Sequence, residues 1–412
     1  MQVRPPIPAP EFRRSQYRNH PMKALYTIVV ITCLALGQSF AQEPPDQRAR
    51  AKLFTLKEAI DRASNERLPF AERLAVYEEL TSRDPKDRGE AFRALTASAD
   101  ETMAAMAARS LLQDRSPDSA NVISARINKW SEPNQLAVLQ ELQNIGIDDS
   151  LIQIPREVVR GSSARENSEK TAAAPLTALD VAAILLANSS VAADRSMLVT
   201  AVRAHPHSRG LWLAIAAQDT IEPGDLKLAD SVYKNTVAPE LIRAAAAVAS
   251  ATRSEEAGAF IIDEISSFLS RFSNQSIEVM VVNAYSSKEG KQNVVYYRQH
   301  LRLLGMLRFL RTPASEELTF KYLGVQNQEI RMTLALVAAM RWPERLLRAN
   351  EGAFSNNEYE SLLVAVSLLH PSLRSVVEAK VGSSRLSEVR SRFEKNGFVG
   401  VFGAPGTVAL GG

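Results

Sequence analysis

The chain has 412 residues, of which 49 are Lys or Arg, 46 are Asp or Glu, and one is a cysteine, Cys33. Five of the basic residues and one of the acidic ones fall within residues 1–41, so 44 basic and 45 acidic side chains follow that segment. Because this remainder is close to neutral, it lacks the net positive field typical of general nucleic-acid binding. Because it contains no further cysteine, it has neither a disulfide nor a thiolate metal site.

The N-terminal segment has the three features of a secretory signal peptide in the required order. Lys23 supplies a positive charge, residues 24–36 form an apolar run, and residues 39–41 form a small-x-small cleavage site. The run is short for a membrane span and polar residues follow it at once, which favours a cleaved signal over a permanent anchor. We therefore expect residues 1–41 to be an upstream segment and signal peptide, with Met22 as an alternative start, and the protein to be periplasmic or extracellular.

Amphipathic helix patterns recur along the rest of the chain. Apolar residues repeat with helical spacing at Phe70, Leu74 and Tyr77, and again at Ile330, Leu334, Val337 and Ala338. Helix starts are indicated by capping boxes at Thr55, Ser98 and Ser355, by the pair Thr312-Pro313, and by a cap at Thr177. Residues 277–282 and 293–297 fit either a short strand or a buried helical turn, and their neighbours favour the helix. These patterns predict an all-α fold of antiparallel helix pairs.

Changes in composition divide the chain into segments. Residues 161–176 are polar, small and aperiodic, which predicts a linker or long loop. This stretch separates N-terminal helical repeats at residues 42–160 from a C-terminal helical repeat array at residues 177–395. Glycines recur through residues 396–412, which we expect to form a Gly-rich tail, either disordered or extended against the last helices.

Residues 304–342 resemble a HEAT repeat, a pair of antiparallel helices of about forty residues. The resemblance is carried by Leu304-Gly305, Thr312-Pro313, Tyr322-Leu323, residues 327–331 and the small-residue helix at 334–340. A partial second copy at residues 239–247 places Arg243 about two such periods before Arg331.

Residues 74–85 and 211–239 are instead similar to tetratricopeptide repeats, which pair helices on a shorter period. The spacing from Trp212 to Ala229 is one residue longer than that family's pattern, and the usual Gly-x-x-Tyr is missing, so the choice between the two families stays open. Either resemblance implies an α-solenoid whose curved groove binds a protein or peptide, and neither implies catalytic residues.

Motifs that could support catalysis are few. His205-Pro206-His207 has no Asp, Glu or Cys at ligand spacing, and two ligands leave a zinc site incomplete, so we interpret it as a solvated loop. Ser231-x-x-Lys234 matches one element of penicillin-binding enzymes but lacks their Lys-Thr-Gly, and it fits a helix in which Val232 packs and Lys234 faces water. We expect no catalytic, cofactor-binding or metal-binding residues, and no cofactor.

Adjacent carboxylates recur at Glu78-Glu79, Glu255-Glu256 and Glu316-Glu317. Neighbouring residues on a helix point about 100° apart, so these pairs are interpreted as solvated faces and not as acid–base pairs. An envelope-polymer hydrolase, in which distant carboxylates converge on folding, stays open as the alternative function.

Positive charge is concentrated in the C-terminal part of the array. Residues 286–350 hold eleven Lys or Arg against five Asp or Glu, whereas residues 178–285 hold eight against twelve. One set of arginines is separated by one helical turn and a second follows i, i+4, i+7 spacing, so each set is expected to share a face. The predicted patch for an anionic partner consists of Arg298, Arg302, Arg341, Arg345 and Arg348. The alternative is that these arginines cover apolar helix surface and pair with local acids.

Together these patterns predict an exported, non-enzymatic binding or scaffolding protein that presents a helical-repeat groove to a protein or peptide partner, with an anionic envelope component as a further candidate. A purely structural envelope component stays open as well. We expect no nucleic-acid partner and no transmembrane span after signal cleavage. Trp212 and Trp342 are candidates either for partner anchors or for core residues.

Overall fold

A computed structural model describes most of the chain after the N-terminal segment. The residues described are 54–113, 115–146, 149–162, 176–187, 189, 191–218, 221–349, 352 and 354–410. The predicted signal peptide lies outside these residues, and so does nearly all of the predicted linker at 161–176. Of that linker only its first two residues, which end a helix, and the buried Leu176 are described.

The described residues form 22 α-helices and no strand, which confirms the all-α prediction. The first eleven are α1 (Leu56–Ser64), α2 (Phe70–Thr81), α3 (Pro85–Thr96), α4 (Glu101–Leu112), α5 (Pro117–Ile127), α6 (Glu132–Ile145), α7 (Gln153–Ser162), α8 (Ala178–Leu186), α9 (Ala192–Ala204), α10 (Arg209–Ala217) and α11 (Pro223–Lys234). The others are α12 (Glu240–Ser250), α13 (Glu255–Phe272), α14 (Ile277–Ser286), α15 (Lys288–Met306), α16 (Pro313–Lys321), α17 (Gln328–Arg341), α18 (Pro343–Leu347), α19 (Asn356–Leu369), α20 (Arg374–Val381), α21 (Ser383–Phe402) and α22 (Ala404–Ala409). Residues 277–282 and 293–297 are helical, as their neighbours indicated.

Side-chain caps fix several helix starts. The hydroxyls of Thr177, Thr312 and Ser355 each accept a hydrogen bond from the backbone N–H three residues later, at 3.1, 3.3 and 3.4 Å, which confirms those three predictions. The capping box predicted at Ser98 is wrong, because the helix starts two residues later than that motif requires. Asp100 caps α4 there, and its carboxylate accepts from the N–H groups of Thr102 and Met103 at 2.8 and 3.0 Å.

In the first half of the chain, alternate helices pack against one another in series. α4, α6, α8, α10 and α12 form one row of contacts, and α1, α3, α5, α7, α9 and α11 form a second row alongside it. Within the first row, α10 and α12 are buried on most sides. Trp212 of α10 and residues 244–249 of α12 are at most 2 % exposed. Helices buried on most sides belong inside a protein, so α10 and α12 are part of the core, and Trp212 is a core residue.

The C-terminal helices return to the first half of the chain. α15, α17, α19 and α21 follow α12 in series, and α21 then packs against α6. The final helix, α22, packs against α15 and α17, where a Cβ at Gly305 would stand 2.0 Å from the carbonyl oxygen of Val408. Residues 396–409 are therefore almost entirely helical and docked, in contrast to the expected disordered or extended tail. From Leu56 onward the chain forms one compact unit.

Burial of the predicted apolar residues is complete in α17 and incomplete in α2. Ile330, Leu334, Val337 and Ala338 of α17 are all 0 % exposed, as their spacing predicts. In α2, Tyr77 is buried but Phe70, at the first position of the helix, is 44 % exposed. Among the described helices, none combines the length and the apolar character that a bilayer crossing requires.

Candidate interaction surface

Two helices, α14 and α15, form a hairpin joined by a single residue. Ser276 caps α14 by accepting from Val279 N at 3.3 Å, and Ser287 caps α15 by accepting from Gly290 N at 2.9 Å. Ser287 is extended, with φ −150° and ψ 155°, which reverses the chain between the helices. A Cβ at Gly290 would lie 2.2 Å from the carbonyl oxygen of Asn283, so the close approach of the two helices requires glycine at that position.

The hairpin is held at the C-terminal half of α15. Tyr297 is fully buried against Phe268 and Phe272 of α13, with ring centroids 5.7 and 5.4 Å apart, and its hydroxyl donates to Glu329 Oε2 at 2.9 Å. Burial and the Glu329 carboxylate raise the pKa of Tyr297, which keeps this hydroxyl protonated as a donor. By contrast, among the described helices α14 makes extensive contact only with α15, and Met280 is its one buried residue.

The hairpin exposes large apolar side chains. Val279, Val282 and Tyr285 of α14 are 56 %, 62 % and 86 % exposed, and Val295 of α15 is 56 % exposed. The three residues of α14 follow one another at i+3 spacing and so lie along one side of that helix. Four of the nine exposed large apolar side chains in the described part of the chain are on this hairpin, which marks it as a candidate interaction surface. We call these four residues the hairpin face.

The hairpin also carries basic side chains on α15. α15 carries Lys288, Lys291, Arg298 and Arg302 against the single acid Glu289, while α14 carries one acid. A shallow groove along α15 is lined by Lys291, Gln292, Val295, Tyr296 and Gln299. The guanidinium of Arg271 from α13 lies 5.1 Å from the centre of the Tyr296 ring beside this groove. The surface combines exposed apolar side chains with an excess of positive charge.

The structure separates the two arginines predicted to share a face of α15. Arg298 is exposed, whereas Arg302 is half-buried and lies close to Arg209 at the start of α10. Burial, reinforced by the charge of Arg302, lowers the pKa of Arg209 to about 10. Arg298 is the member of the predicted patch that lies on the exposed part of the hairpin.

The other three predicted arginines do not lie on one helix. α17 ends at Arg341, Trp342 is non-helical with φ −131° and ψ 55°, and α18 starts at Pro343. Proline has no N–H to continue the helical hydrogen bonding, so the expected i, i+4, i+7 face does not form.

The contacts of these arginines are local. Arg345 donates to Glu316 at 2.9 Å and lies 4.2 Å from the centre of the Phe320 ring, and Arg348 donates to its own helix at the carbonyl of Glu344. Arg345 thus follows the alternative in which arginines cover apolar surface and pair with nearby acids. Trp342 is half-buried and meets the Phe320 ring edge-on.

The remaining motifs from the sequence occupy structural positions. His205 is 5 % exposed, with Nε2 3.1 Å from the carbonyl oxygen of Ser162, so the interpretation of a solvated loop is wrong for this residue and holds only for the exposed His207. Val232 is buried and Lys234 is 53 % exposed beside Glu256, as the helical interpretation predicted.

One carboxylate of each adjacent pair faces a basic residue. Glu79 pairs with Arg83 at 2.6 Å, Glu256 with Lys234 at 3.2 Å and Glu316 with Arg345 at 2.9 Å.

Comparison with known proteins adds no further assignment, since no family model, curated protein or solved structure matches the chain.

Proposed function

We propose that the protein is an exported, non-enzymatic binding or scaffolding protein built as an α-solenoid, and that it acts in the periplasm or outside the cell. The serial packing of alternate helices in two rows supports a repeat architecture, in which each helix pair buries its apolar side against its neighbours. The order of charge, apolar run and cleavage site before residue 42 supports export. Which helical repeat family it resembles most closely, HEAT or tetratricopeptide, has no bearing on this proposal.

The observation that carries the proposal is the hairpin face. A helix that leaves Val279, Val282 and Tyr285 exposed gains little from burial within its own chain, and a partner would remove these side chains from water. The three exposed basic residues of α15, Lys288, Lys291 and Arg298, favour a partner of opposite charge. The proposed partner is therefore a protein segment that carries apolar side chains flanked by Asp and Glu.

The hydrolase alternative has less support. Glu79, Glu256 and Glu316 each pair with a different basic side chain. The one grouping of acids with a histidine that satisfies metal-ligand spacing in the described residues is at Glu240, Glu264 and His300, and it is considered below.

Site-specific photo-crosslinking in the native cells tests the proposal. A photoreactive residue at position 285, where Tyr285 is 86 % exposed, should give one discrete protein adduct. The matched control is position 237, because Val237 is 90 % exposed but lies in the turn between α11 and α12. Val282→Asp should abolish the adduct by placing a charge in the apolar contact, without changing the melting temperature, since Val282 is already 62 % exposed.

The identity of the crosslinked segment is part of the test. Mass spectrometry should locate the crosslink in a peptide with apolar residues flanked by acids. The same adducts from positions 285 and 237, or an adduct that survives Val282→Asp, would show that the hairpin face is not a specific docking surface.

A further inference from the structure

Three helices bring two carboxylates and a histidine together beneath the hairpin. Glu240 is the first residue of α12, Glu264 lies in α13, and His300 lies in α15. Their candidate ligand atoms are all within 4.8 Å of one another, and Glu240 Oε1 stands 2.5 Å from His300 Nε2. The histidine side chain is 4 % exposed, Glu264 is half-buried, and the Glu240 side chain is 46 % exposed, so the cluster is open to solvent on one side.

The histidine is oriented by contacts that leave Nε2 directed at the acids. Its Nδ1 lies 2.9 Å from the carbonyl oxygen of Tyr296, and a carbonyl only accepts, so Nδ1 carries the proton of that bond. The imidazole stacks on the Tyr296 ring with centroids 3.6 Å apart and on Phe268 at 6.2 Å, which fixes the plane of the ring. In the neutral imidazole, Nε2 therefore presents its lone pair toward Glu240.

A lone pair and a carboxylate oxygen at this distance repel each other unless a positive charge lies between them. Either a second proton on the imidazole or a metal cation supplies that charge. A histidine whose Nδ1–H is bound to a backbone carbonyl, with Nε2 directed at carboxylates, has the arrangement common to metal-ligating histidines. Two carboxylates and an imidazole form a donor set that suits divalent transition metals such as Zn²⁺.

We propose that Glu240, Glu264 and His300 bind one divalent transition-metal ion, which ties α15 to α12 and α13 at the base of the hairpin. Zn–N and Zn–O bonds of about 2.0–2.2 Å place two ligand atoms roughly 3.4 Å apart in a tetrahedron. Glu240 must therefore move outward by about 1 Å from His300 on metal binding, and its position at an exposed helix start allows that movement. Water completes the coordination on the open side.

Calorimetric titration of the EDTA-treated protein with ZnCl₂ tests the proposal. The wild type should bind zinc, and Glu264→Gln should weaken one site by at least about tenfold, the scale found when even an outer partner of a ligand is removed. Asp263→Asn is the matched control, because Asp263 is the exposed neighbour of Glu264 on α13 and lies outside the cluster, and its zinc affinity should equal that of the wild type. His207→Gln controls for binding to an exposed histidine elsewhere.

Two further measurements keep the test decisive. Glu240→Gln, at a position whose side chain is 46 % exposed, should weaken the same site even if Glu264→Gln unfolds the protein. X-ray absorption at the zinc edge should show one imidazole and otherwise oxygen ligands. Equal zinc affinity in the wild type and in both glutamine variants, or no zinc binding by the wild type, would overturn the proposal and leave the imidazolium as the charge between the acids.

Discussion

Asn144 of α6 holds the C-terminal helices, and its replacement by alanine should loosen them. Gly397 interrupts α21 with φ 64° and ψ −177°, and the N–H of Val399, just after this kink, donates to Asn144 Oδ1 at 2.8 Å. The Asn144 amide also donates to the carbonyl oxygen of Asn396 at 3.3 Å. One side chain therefore satisfies backbone groups on both sides of the kink, across a sequence separation of 255 residues.

The expected loss follows from these contacts. Two hydrogen bonds contribute about 1 kcal/mol each, and a partly buried N–H without an acceptor adds up to about 1 kcal/mol. Alanine recovers about 0.6 kcal/mol in helix propensity within α6, so the net destabilisation should be about 2 kcal/mol. At about 2.1 cal/mol/K per residue, some 350 residues have an unfolding entropy of roughly 0.7 kcal/mol/K, so the melting temperature should fall by about 3 °C.

Hydrogen exchange locates the effect. If α21 and α22 detach together, 2 kcal/mol corresponds to about thirtyfold faster exchange of amides in residues 398–409. Amides of α9 should exchange at the wild-type rate. Gln140→Ala is the control, because Gln140 is exposed on the same helix. Wild-type exchange of residues 398–409 in Asn144→Ala would refute the reasoning that this side chain secures the C-terminal helices.

Two further predictions concern the same kink and a buried ion pair. Gly397→Ala should lower the free energy of unfolding, measured in urea, by more than about 1 kcal/mol, because φ is positive at this position and the new Cβ would stand 2.3 Å from the Asn144 side chain. In the Asn144→Ala background, where that side chain is removed, the same substitution should lower the free energy of unfolding by less. Asp194 binds Arg156 at 2.7 and 2.8 Å, and although burial opposes it, hydrogen bonding from Arg156 and Ser189 lowers the pKa of Asp194. The stabilisation by the ionised Asp194 should therefore be present above about pH 4 and disappear as the pH falls through the lowered pKa. Asp194→Asn should reduce the free energy of unfolding at pH 6 and make it depend less on pH below pH 4. Equal reductions at pH 3 and pH 6 would contradict this reasoning.

Helices were predictable because their signals are local. The hydroxyl of Ser355 and the carboxylate of Glu358 form both bonds of the predicted capping box, and Pro313 follows the Thr312 cap as expected. The error at Ser98 has the same origin, since Asp100 offers a competing acceptor only two residues away and makes two backbone bonds instead of one. Local patterns determine that a helix forms near a position and leave its first residue to such competition.

The long-range features were not predictable from these patterns. The glycines of residues 396–412 indicated a tail that is disordered or extended, because a glycine-rich sequence has high conformational entropy when nothing binds it. At the positive φ of Gly397 the chain turns onto Asn144, and no local pattern links Asn144 to Val399, 255 positions later. Similarly, Glu240, Glu264 and His300 have no ligand spacing in sequence, because each comes from a different helix and only the packing of α12, α13 and α15 brings them together.

At the hairpin, the sequence pattern also failed to predict how much of a helix is buried. The β-branched run at residues 277–282 indicated a buried segment, since such side chains are usually removed from water. The structure buries only Met280 of α14, because among the described helices only α15 packs extensively against α14, and it covers one side of that helix. At about 25 cal/mol per Å² of apolar surface, a partner that covered Val279, Val282 and Tyr285 would gain several kcal/mol that the isolated chain does not have. The mismatch between an apolar sequence and an exposed position is therefore the reason to test the hairpin face for the proposed partner.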